Sequence, residues 1–346
     1  MKIKMLSAER EFSCLMGDCP DSCCQGWDVI IDDETALRYR EADGELWSEI
    51  RKTLSTDECG NVCFTLKENG ACPHLCSDGL CSIIKATGEG AIPNICDRHP
   101  RYYNLVSEVK EGGLGLSCPA AVSLLMSKSL SELMATAECE KPRIKESEMS
   151  ISMYSPECDR KILRLRENFF DELKSEKDIA EILAELAWVG DKVIHASDLF
   201  DDYEKIFFDK AQLDLTGRVS LSSLKKQLSS AFAFIEYRSQ AIEKQAKYVN
   251  KNLQSVIKDL ESGADPRLDS IGKKILFCFL HRYMAAGLLD ATVGGRIKLS
   301  VLLTLMLLAL LSSDCHTEDT IRGFSACVEY SEENIDMILD LIHGEL

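Results

Sequence analysis

The sequence predicts a mainly α protein in which a small, irregular α+β module rich in cysteine precedes a larger all-helical domain. Eleven of the 16 cysteines lie within the first 118 of 346 residues, where Gly, Pro and Asp interrupt the apolar segments. From residue 157 onward apolar side chains recur at helical spacing, and Pro266 is the only proline. A chain of this length can form two cores, so we place the module at 1–137 and the helical domain at 157–346.

The cysteine-rich module is expected to consist of short elements joined by turns. Its loop at 14–24 holds four cysteines within eleven residues, and Asp78-Gly79 is typical of a hairpin turn. We expect a strand at 27–32, a helix at 35–54 and a second strand at 62–66. A pair of strands at 102–106 and 115–118 would be joined by a glycine turn at 111–113, and an apolar helix would follow at 120–137.

A polar segment at 138–156, which contains two prolines, is the predicted linker to the helical domain. Helices are predicted beyond it at 157–175, 178–196, 198–211, 217–258, 268–290, 296–312, 317–330 and 332–345. In the longest of these, a core-facing stripe is predicted from Leu221, Leu224, Leu228, Phe232, Ile235 and Ile242.

Charge and hydropathy exclude several classes of protein. The net charge of −17 argues against a general nucleic-acid binder, and the basic stretch at 218–251 is interpreted as a solvated helix face. The apolar run at 299–311 is too short for a membrane span and fits a buried core helix. The first twelve residues are charged and hold no long apolar run, so we expect no signal peptide and a cytoplasmic location.

In a reducing compartment, a cysteine-rich block indicates metal binding or catalysis rather than disulfides. Thiolates suit zinc, Cu(I) and iron–sulfur clusters. The pairs Cys19/Cys23 and Cys72/Cys76, each with three residues between them, allow a four-cysteine zinc site. Three cysteines of the 14–24 loop plus one distant cysteine would equally suit an iron–sulfur cluster, so spacing leaves both metals open.

Two histidines lie among these cysteines and are weaker candidates for metal ligands. A hydrogen bond within its loop is the expected role of His74, and His99 precedes a proline. The isolated later cysteines are interpreted as small buried apolar side chains: Cys139, Cys158, Cys278, Cys315 and Cys327. The chain contains no Rossmann glycine fingerprint, P-loop, G-x-S-x-G or H-E-x-x-H motif.

The order of motifs across 12–119 resembles the flagellin lysine N-methylase family. It is also similar to a broader group of zinc- or iron-chelating cysteine-cluster proteins. The motifs are Phe12-Ser13-Cys14, Cys19-Pro20-Asp21-Ser22-Cys23-Cys24-Gln25-Gly26-Trp27 with Asp32, Gly70-Ala71-Cys72-Pro73, Gly79-Leu80-Cys81-Ser82-Ile83, Gly88-Glu89, Cys96 before Pro100-Arg101, and Leu116-Ser117-Cys118-Pro119. Two positions depart from the family pattern, because Ala120 stands where Glu is common and His99 where an aromatic residue is common.

The resemblance implies methyl transfer from S-adenosylmethionine to lysine ε-amines of flagellin, and a four-iron, four-sulfur cluster. The cysteines that match the motifs, and are therefore the candidate ligands, are Cys14, Cys19, Cys23, Cys24, Cys72, Cys81, Cys96 and Cys118. Cys59, Cys63 and Cys76 fall outside the motifs. Cys24 follows Cys23 directly, so the usual radical-type loop, with its x3 and x2 spacings, is not present.

Three residues are candidates for binding the methyl donor. Arg101 would pair with the donor carboxylate, because arginine forms bidentate contacts with carboxylates, although a structural salt bridge is the alternative. Trp27 and Tyr102 would face the sulfonium through cation–π contact, or else belong to the core. Two other functions remain open: a zinc- or iron-binding adaptor without catalysis, and a thiol redox sensor that uses Cys23-Cys24.

Overall fold

The computed structural model describes residues 2–107, 109–139, 143–144, 148–199, 217–263, 265–313 and 316–344. It confirms the mainly α class with a small β-containing module near the N-terminus. The large hydrophobic core unites residues from both ends of the chain, Leu6 and Val122 with Ile342 among them. The division into two domains and a linker stays a prediction.

One four-stranded sheet brings the start of the chain beside residues 101–139. Its strands in chain order are β1, β4, β5 and β6, at Ile3–Leu6, Arg101–Val106, Val109–Leu114 and Thr136–Cys139. The order across the sheet is β4-β5-β1-β6, with β1 parallel to β5 and antiparallel to β6. The last strand therefore contains Cys139 and lies beside the first.

The predicted turn at 111–113 is wrong. Strand β4 pairs with β5 in a hairpin that turns at Ser107, whose φ is 49°, and Gly112 lies within β5. A Cβ atom on Gly112 would lie 2.6 Å from the Tyr102 carbonyl oxygen and 2.7 Å from the Met5 sulfur. Glycine is therefore needed here for close packing of neighbouring strands, and its presence does not mark a turn.

A second, smaller core holds the elements between the sheet strands. They are α1, α2, β2, β3, α3 and α4, at Asp33–Glu41, Glu45–Arg51, Leu54–Thr56, Val62–Phe64, Ser82–Thr87 and Asn94–Arg98. The helix predicted at 35–54 is thus two helices, which separate at Gly44 with φ 123°. The strand predicted at 27–32 is also wrong, since Ile30 makes only an isolated bridge to Cys63. The strand expected at 62–66 is confirmed as β3.

The helical part surrounds one central helix. Its helices are α5 to α16, at Pro119–Ser127, Leu130–Met134, Pro156–Glu172, Ile179–Leu199, Lys225–Phe234, Gln240–Lys251, Leu253–Glu261, Pro266–Tyr283, Gly287–Asp290, Val293–Leu311, Thr317–Glu329 and Glu332–His343. The central α14 is buried along its length except at Arg296. Within the described residues it alone is long and apolar enough to cross a membrane, and 94% of that apolar window is buried inside the protein.

Two predicted helices end differently in the structure. The one expected at 120–137 is α5 and α6 followed by strand β6. The one expected at 217–258 is divided into α9, α10 and α11, although every residue of its predicted apolar stripe is buried. The side-chain amide of Asn334 accepts from the backbone N–H of Glu236 at 2.8 Å and donates to its carbonyl at 3.0 Å. Asn334 therefore forms hydrogen bonds with both backbone polar groups of Glu236, which lies at the first break between these helices.

Most of the helix predicted at 198–211, and Cys315, fall outside the described residues.

Candidate cysteine-lined site

A single cavity of about 840 Å³ is lined by all eight cysteines that match the motifs. They are Cys14, Cys19, Cys23, Cys24, Cys72, Cys81, Cys96 and Cys118. Among the other described cysteines of this part of the chain, Cys59, Cys63 and Cys76 do not line it. The structure therefore brings together residues that are up to 104 positions apart in the sequence.

Backbone hydrogen bonds hold the first cysteine loop against the segment that carries Cys72. The Cys72 amide donates to the Cys24 carbonyl at 2.8 Å, and the Gly26 amide donates to Gly70 at 3.0 Å. The predicted turn at Asp78-Gly79 forms, because the Cys76 amide donates to the Leu80 carbonyl at 2.9 Å. This turn directs the chain back to Cys81 at the start of α3.

Carboxylates that are distant in the sequence hold the starts of the two helices that bring Cys96 and Cys118 to the cavity. Asp32 caps α1 and also accepts from the Asn94 amide at 2.9 Å, which fixes the start of α4 and its Cys96. Cys118 is the N-cap residue of α5. Just before it, the amides of Leu116 and Ser117 donate to Glu329 at 2.7 and 3.1 Å.

Burial is the largest cause of the raised pKa of most thiols in the cavity. It raises the pKa of Cys72 to about 11 and raises the pKa of Cys96 well above the ordinary cysteine value. A hydrogen bond from the Cys23 thiol lowers the pKa of Cys24 to about 6, and it raises that of Cys23. Metal binding at this cavity would therefore release protons from the buried thiols.

The donor chemistry of the cavity fits a thiolate-bound metal. Thiolate is the ligand type that both zinc and iron–sulfur clusters use. Within the described part of the chain, no three His, Cys, Asp or Glu side chains surround a position for a single ion. A zinc site requires four ligand atoms within about 2.3 Å of one ion, whereas the thiolates of a four-iron cluster bind separate iron atoms and lie further apart.

The histidines near the cavity have other partners. His74 lies 3.1 Å from the Thr53 hydroxyl and 3.2 Å from that of Ser82, as expected for a loop hydrogen bond. His99 lies 3.0 Å from the hydroxyl oxygen of Tyr330. Burial lowers the pKa of each imidazole to about 4, so both rings are neutral near pH 7.

Two of the three predicted donor-binding residues line the cavity. Trp27 stacks on Tyr330, with ring centroids 4.9 Å apart and planes at 9°, and donates to the Cys23 carbonyl at 2.6 Å. Arg101 also lines it, and its Nε donates to Glu9 at 2.6 Å in a largely buried ion pair.

Tyr102 does not line the cavity. Its hydroxyl lies 2.8 Å from Nδ1 of His281, and the Arg282 guanidinium lies 4.9 Å from the centre of its ring. The ring is therefore already in contact with a cation of the protein itself. Donor binding by Trp27, Arg101 and Tyr102 stays a prediction.

Sequence reasoning missed the cavity residues that come from the helical part, of which Arg238, Arg322 and Tyr330 have charged or aromatic side chains. Arg238 donates to the Gly26 carbonyl at 2.6 Å, and its guanidinium lies 5.4 Å from the centre of the Tyr330 ring. Arg322 pairs with Asp21. The basic character of 218–251 was the only signal for Arg238, and it was interpreted as a solvated face.

The fold and the site together define a cysteine-cluster protein in which helices of the C-terminal part pack against the cysteine loops. Three relatives are similar to part of it. Flagellar biosynthetic protein FliU of Salmonella muenchen is 28% identical over 127 residues, which is 33% of this chain and 71% of that protein. The lysine-N-methylases of Salmonella typhimurium and Salmonella choleraesuis are 27% and 29% identical, again over 33% of this chain.

The match spans only 30% of the length of each lysine-N-methylase. No known family profile matches the chain. No solved structure matches it either. The relatives therefore support a distant relationship with lysine methylases over a third of the chain.

Proposed function

We propose that the protein is a cytoplasmic lysine N-methyltransferase that acts on flagellin, uses S-adenosylmethionine as donor and binds an iron–sulfur cluster. The observation that carries the proposal is that the eight motif cysteines, from separate segments of the chain, line one cavity. The printed names of the relatives, a flagellar biosynthetic protein and lysine-N-methylases, support the reaction and the substrate.

The cavity wall suits a sulfonium donor that carries a carboxylate. The stacked rings of Trp27 and Tyr330 offer aromatic surface, which attracts a sulfonium cation. Arg238 provides positive charge at the same wall, which suits the donor carboxylate, whereas Arg322 is paired with Asp21. A cluster on the cysteines would supply a rigid centre for these loops and an iron corner able to anchor the donor.

Burial in the cavity favours the neutral form of an incoming lysine. Only a neutral amine attacks the methyl carbon, and the attack needs proximity rather than a metal. Partial burial disfavours the charged amine. Desolvation therefore lowers the pKa of a substrate lysine.

Co-expression with flagellin tests the proposed reaction. We expect the intact mass of flagellin to rise by methyl-sized increments with the wild-type protein and with the control variant Cys59→Ser, whose exposed thiol lies outside the cavity. Trp27→Ala should lower the extent of methylation without removing metal. Unchanged flagellin mass under conditions where the wild-type protein is folded and loaded with metal would reject the methyltransferase proposal.

A zinc- or iron-binding adaptor without catalysis is the second candidate. It is favoured by the existing contacts of Arg101 with Glu9 and of Tyr102 with Arg282, which occupy two of the groups predicted to bind the donor. Anaerobic purification tests the zinc form of the adaptor, and the mass measurement on flagellin tests its iron form. A brown protein that contains iron and sulfide agrees with a cluster, whereas a colourless zinc protein agrees with the adaptor.

A further inference from the structure

Leu15 and Met16 are exposed apolar residues at the mouth of the cysteine-lined cavity. Their side chains are 42% and 55% exposed, and both line the cavity, so they lie between its interior and solvent. Seven further large apolar side chains are exposed in the described part of the chain, and none of them lines this cavity. One exposed apolar side chain is ordinary, but two adjacent ones at the opening of a site indicate contact with a partner.

The backbone around Leu15 and Met16 is held firmly, although their side chains are not buried. Two backbone hydrogen bonds, each of 3.1 Å, close a tight turn over residues 15–19. The turn packs on the next cysteine loop, so that a Cβ atom on Gly17 would lie 2.7 Å from the Asp78 carbonyl oxygen. The mouth therefore presents the two apolar side chains on a fixed turn.

Met16 has a backbone conformation that favours glycine. Its φ is 52°, in the left-handed region, where a residue with a Cβ atom is strained. Glycine would adopt this conformation more easily and would expose no apolar side chain. Neither the backbone angle nor the exposure of Met16 stabilises the fold, which points to a role outside folding.

The proposed reaction requires a protein substrate to contact this mouth. A lysine carries its amine on a four-carbon stem, so the amine reaches the cavity only if the substrate backbone comes close to the opening. The substrate residues beside that lysine then cover the rim. Apolar side chains among them would remove Leu15 and Met16 from water, which favours binding. The unbranched methionine side chain adapts to partners of different shape.

We propose that Leu15 and Met16 form a docking surface for the protein substrate and bind apolar side chains next to the lysine that is methylated. The inference rests on the proposed function, because its partner is flagellin. It concerns how the substrate is held, and it does not depend on which metal the cysteines bind.

Methylation of monomeric flagellin by the full-length, anaerobically purified protein tests this surface. We expect Leu15→Ser and Met16→Ser each to raise the KM for flagellin about tenfold, as loss of one buried apolar side chain would. The value of kcat and the metal content should stay unchanged, because a docking contact is equally strong before and during the reaction. The controls are Leu37→Ser and Met153→Ser, which remove side chains of the same types, 52% and 68% exposed, away from the cavity. Both should keep the wild-type KM.

A glycine variant separates docking from a structural role. Met16→Gly should raise the KM as Met16→Ser does, but it should not lower the urea midpoint, because glycine relieves the left-handed backbone. A lower urea midpoint or a loss of metal in Met16→Gly would show that the side chain supports the fold, and would contradict the proposal.

Direct binding of fluorescently labelled flagellin monomer, measured by anisotropy, distinguishes this proposal from the proposed reaction. If the wild-type protein methylates flagellin but Leu15→Ser and Met16→Ser bind it as tightly as the controls, the docking surface is wrong and the reaction stands. If both variants bind more weakly than the controls but the wild-type protein transfers no methyl group, the docking surface stands and the reaction is wrong. Wild-type dimerisation that Met16→Ser abolishes would assign the surface to a second copy of the chain and overturn the proposal, as would a wild-type protein that does not bind flagellin.

Discussion

His281 belongs to a buried polar group where the sheet meets helix α12. It lies beside Tyr102, and its backbone carbonyl accepts from the Asn104 side chain at 2.8 Å. Burial lowers its pKa to about 4. Glu111 lies nearby, and although burial opposes ionisation, the Arg166 guanidinium holds the pKa of that carboxyl at about 2. Neutral His281 and charged Glu111 are therefore the forms that the folded protein favours.

The lowered pKa of His281 predicts a loss of stability in mild acid. The pKa of His281 is about 4 when folded and about 6.5 when unfolded, so the unfolded chain binds more protons between these values. Its contribution is complete above pH 6.5 and is lost as the pH falls towards 4. We expect the urea midpoint to decrease between pH 7.5 and pH 5, and to decrease less in His281→Gln.

His74 and His99 shift in the same direction, so His281→Gln reduces the pH dependence without abolishing it. If the urea midpoint of His281→Gln depended on pH as steeply as that of the wild type, the assignment of a low pKa to His281 would be contradicted.

The sequence predicted those cavity residues that lie in short local motifs and missed those that are isolated in the chain. The cysteines occur in short motifs within 105 residues, and all eight were predicted as members of one site. Tyr330 and Arg322 are isolated in the sequence, and only the packing of α15 beside α5 brings them to the cavity. Local patterns carry no information about contacts formed across 200 residues.

At the scale of elements, two loops of the cysteine module approach each other through glycines. Gly79 has φ +75°, and a Cβ atom there would lie 3.0 Å from the Cα atom of Gly17. A Cβ atom on Gly17 would in turn lie 2.7 Å from the Asp78 carbonyl oxygen. The first cysteine loop therefore packs directly on the turn that leads to Cys81.

Substitution of Gly79 by alanine should destabilise the protein more than the same change at Gly60. Both positions have positive φ, which costs a non-glycine residue about 1–2 kcal/mol, but a Cβ atom on Gly60 meets nothing within 4 Å. We expect Gly79→Ala to lower the free energy of unfolding by about 1 kcal/mol or more beyond Gly60→Ala, measured by urea titration. Equal losses would show that the loops separate without cost.

The division of the helix predicted at 217–258 shows why element boundaries were harder to predict than element type. Its apolar stripe is continuous, and the segment holds no proline, so local propensity favours one helix. At the break, the backbone groups of Glu236 form hydrogen bonds with the side chain of Asn334, which lies 98 residues later. The consequence concerns the site, because the break places Arg238 within reach of Gly26 and Tyr330.

At the scale of the whole molecule, Glu329 joins the C-terminal helices to the segment that carries Cys118. Its side chain is 2% exposed, receives two backbone amides and lies 3.5 Å from Arg282. Removal of the charge leaves Arg282 with a weaker partner in a buried environment. We expect Glu329→Gln to lower the free energy of unfolding by about 2–3 kcal/mol.

The control for this change is Asp336→Asn, which removes a carboxylate from an exposed position of α16. That variant should remain within about 0.5 kcal/mol of the wild type by urea titration. A similar small effect in Glu329→Gln would mean that the contact between the cysteine loops and the C-terminal helices contributes little to folding.

The positions of the supporting residues imply an order of events during synthesis. Cys24, Cys72, Cys81 and Cys96 have all emerged from the ribosome while most of the helical part is still untranslated. Glu329 is made 213 residues after Leu116, the residue before Ser117 and Cys118 whose amide it binds. The cysteines of residues 24–96 can therefore come together on the nascent chain before the segment of Cys118 has the contacts that hold it.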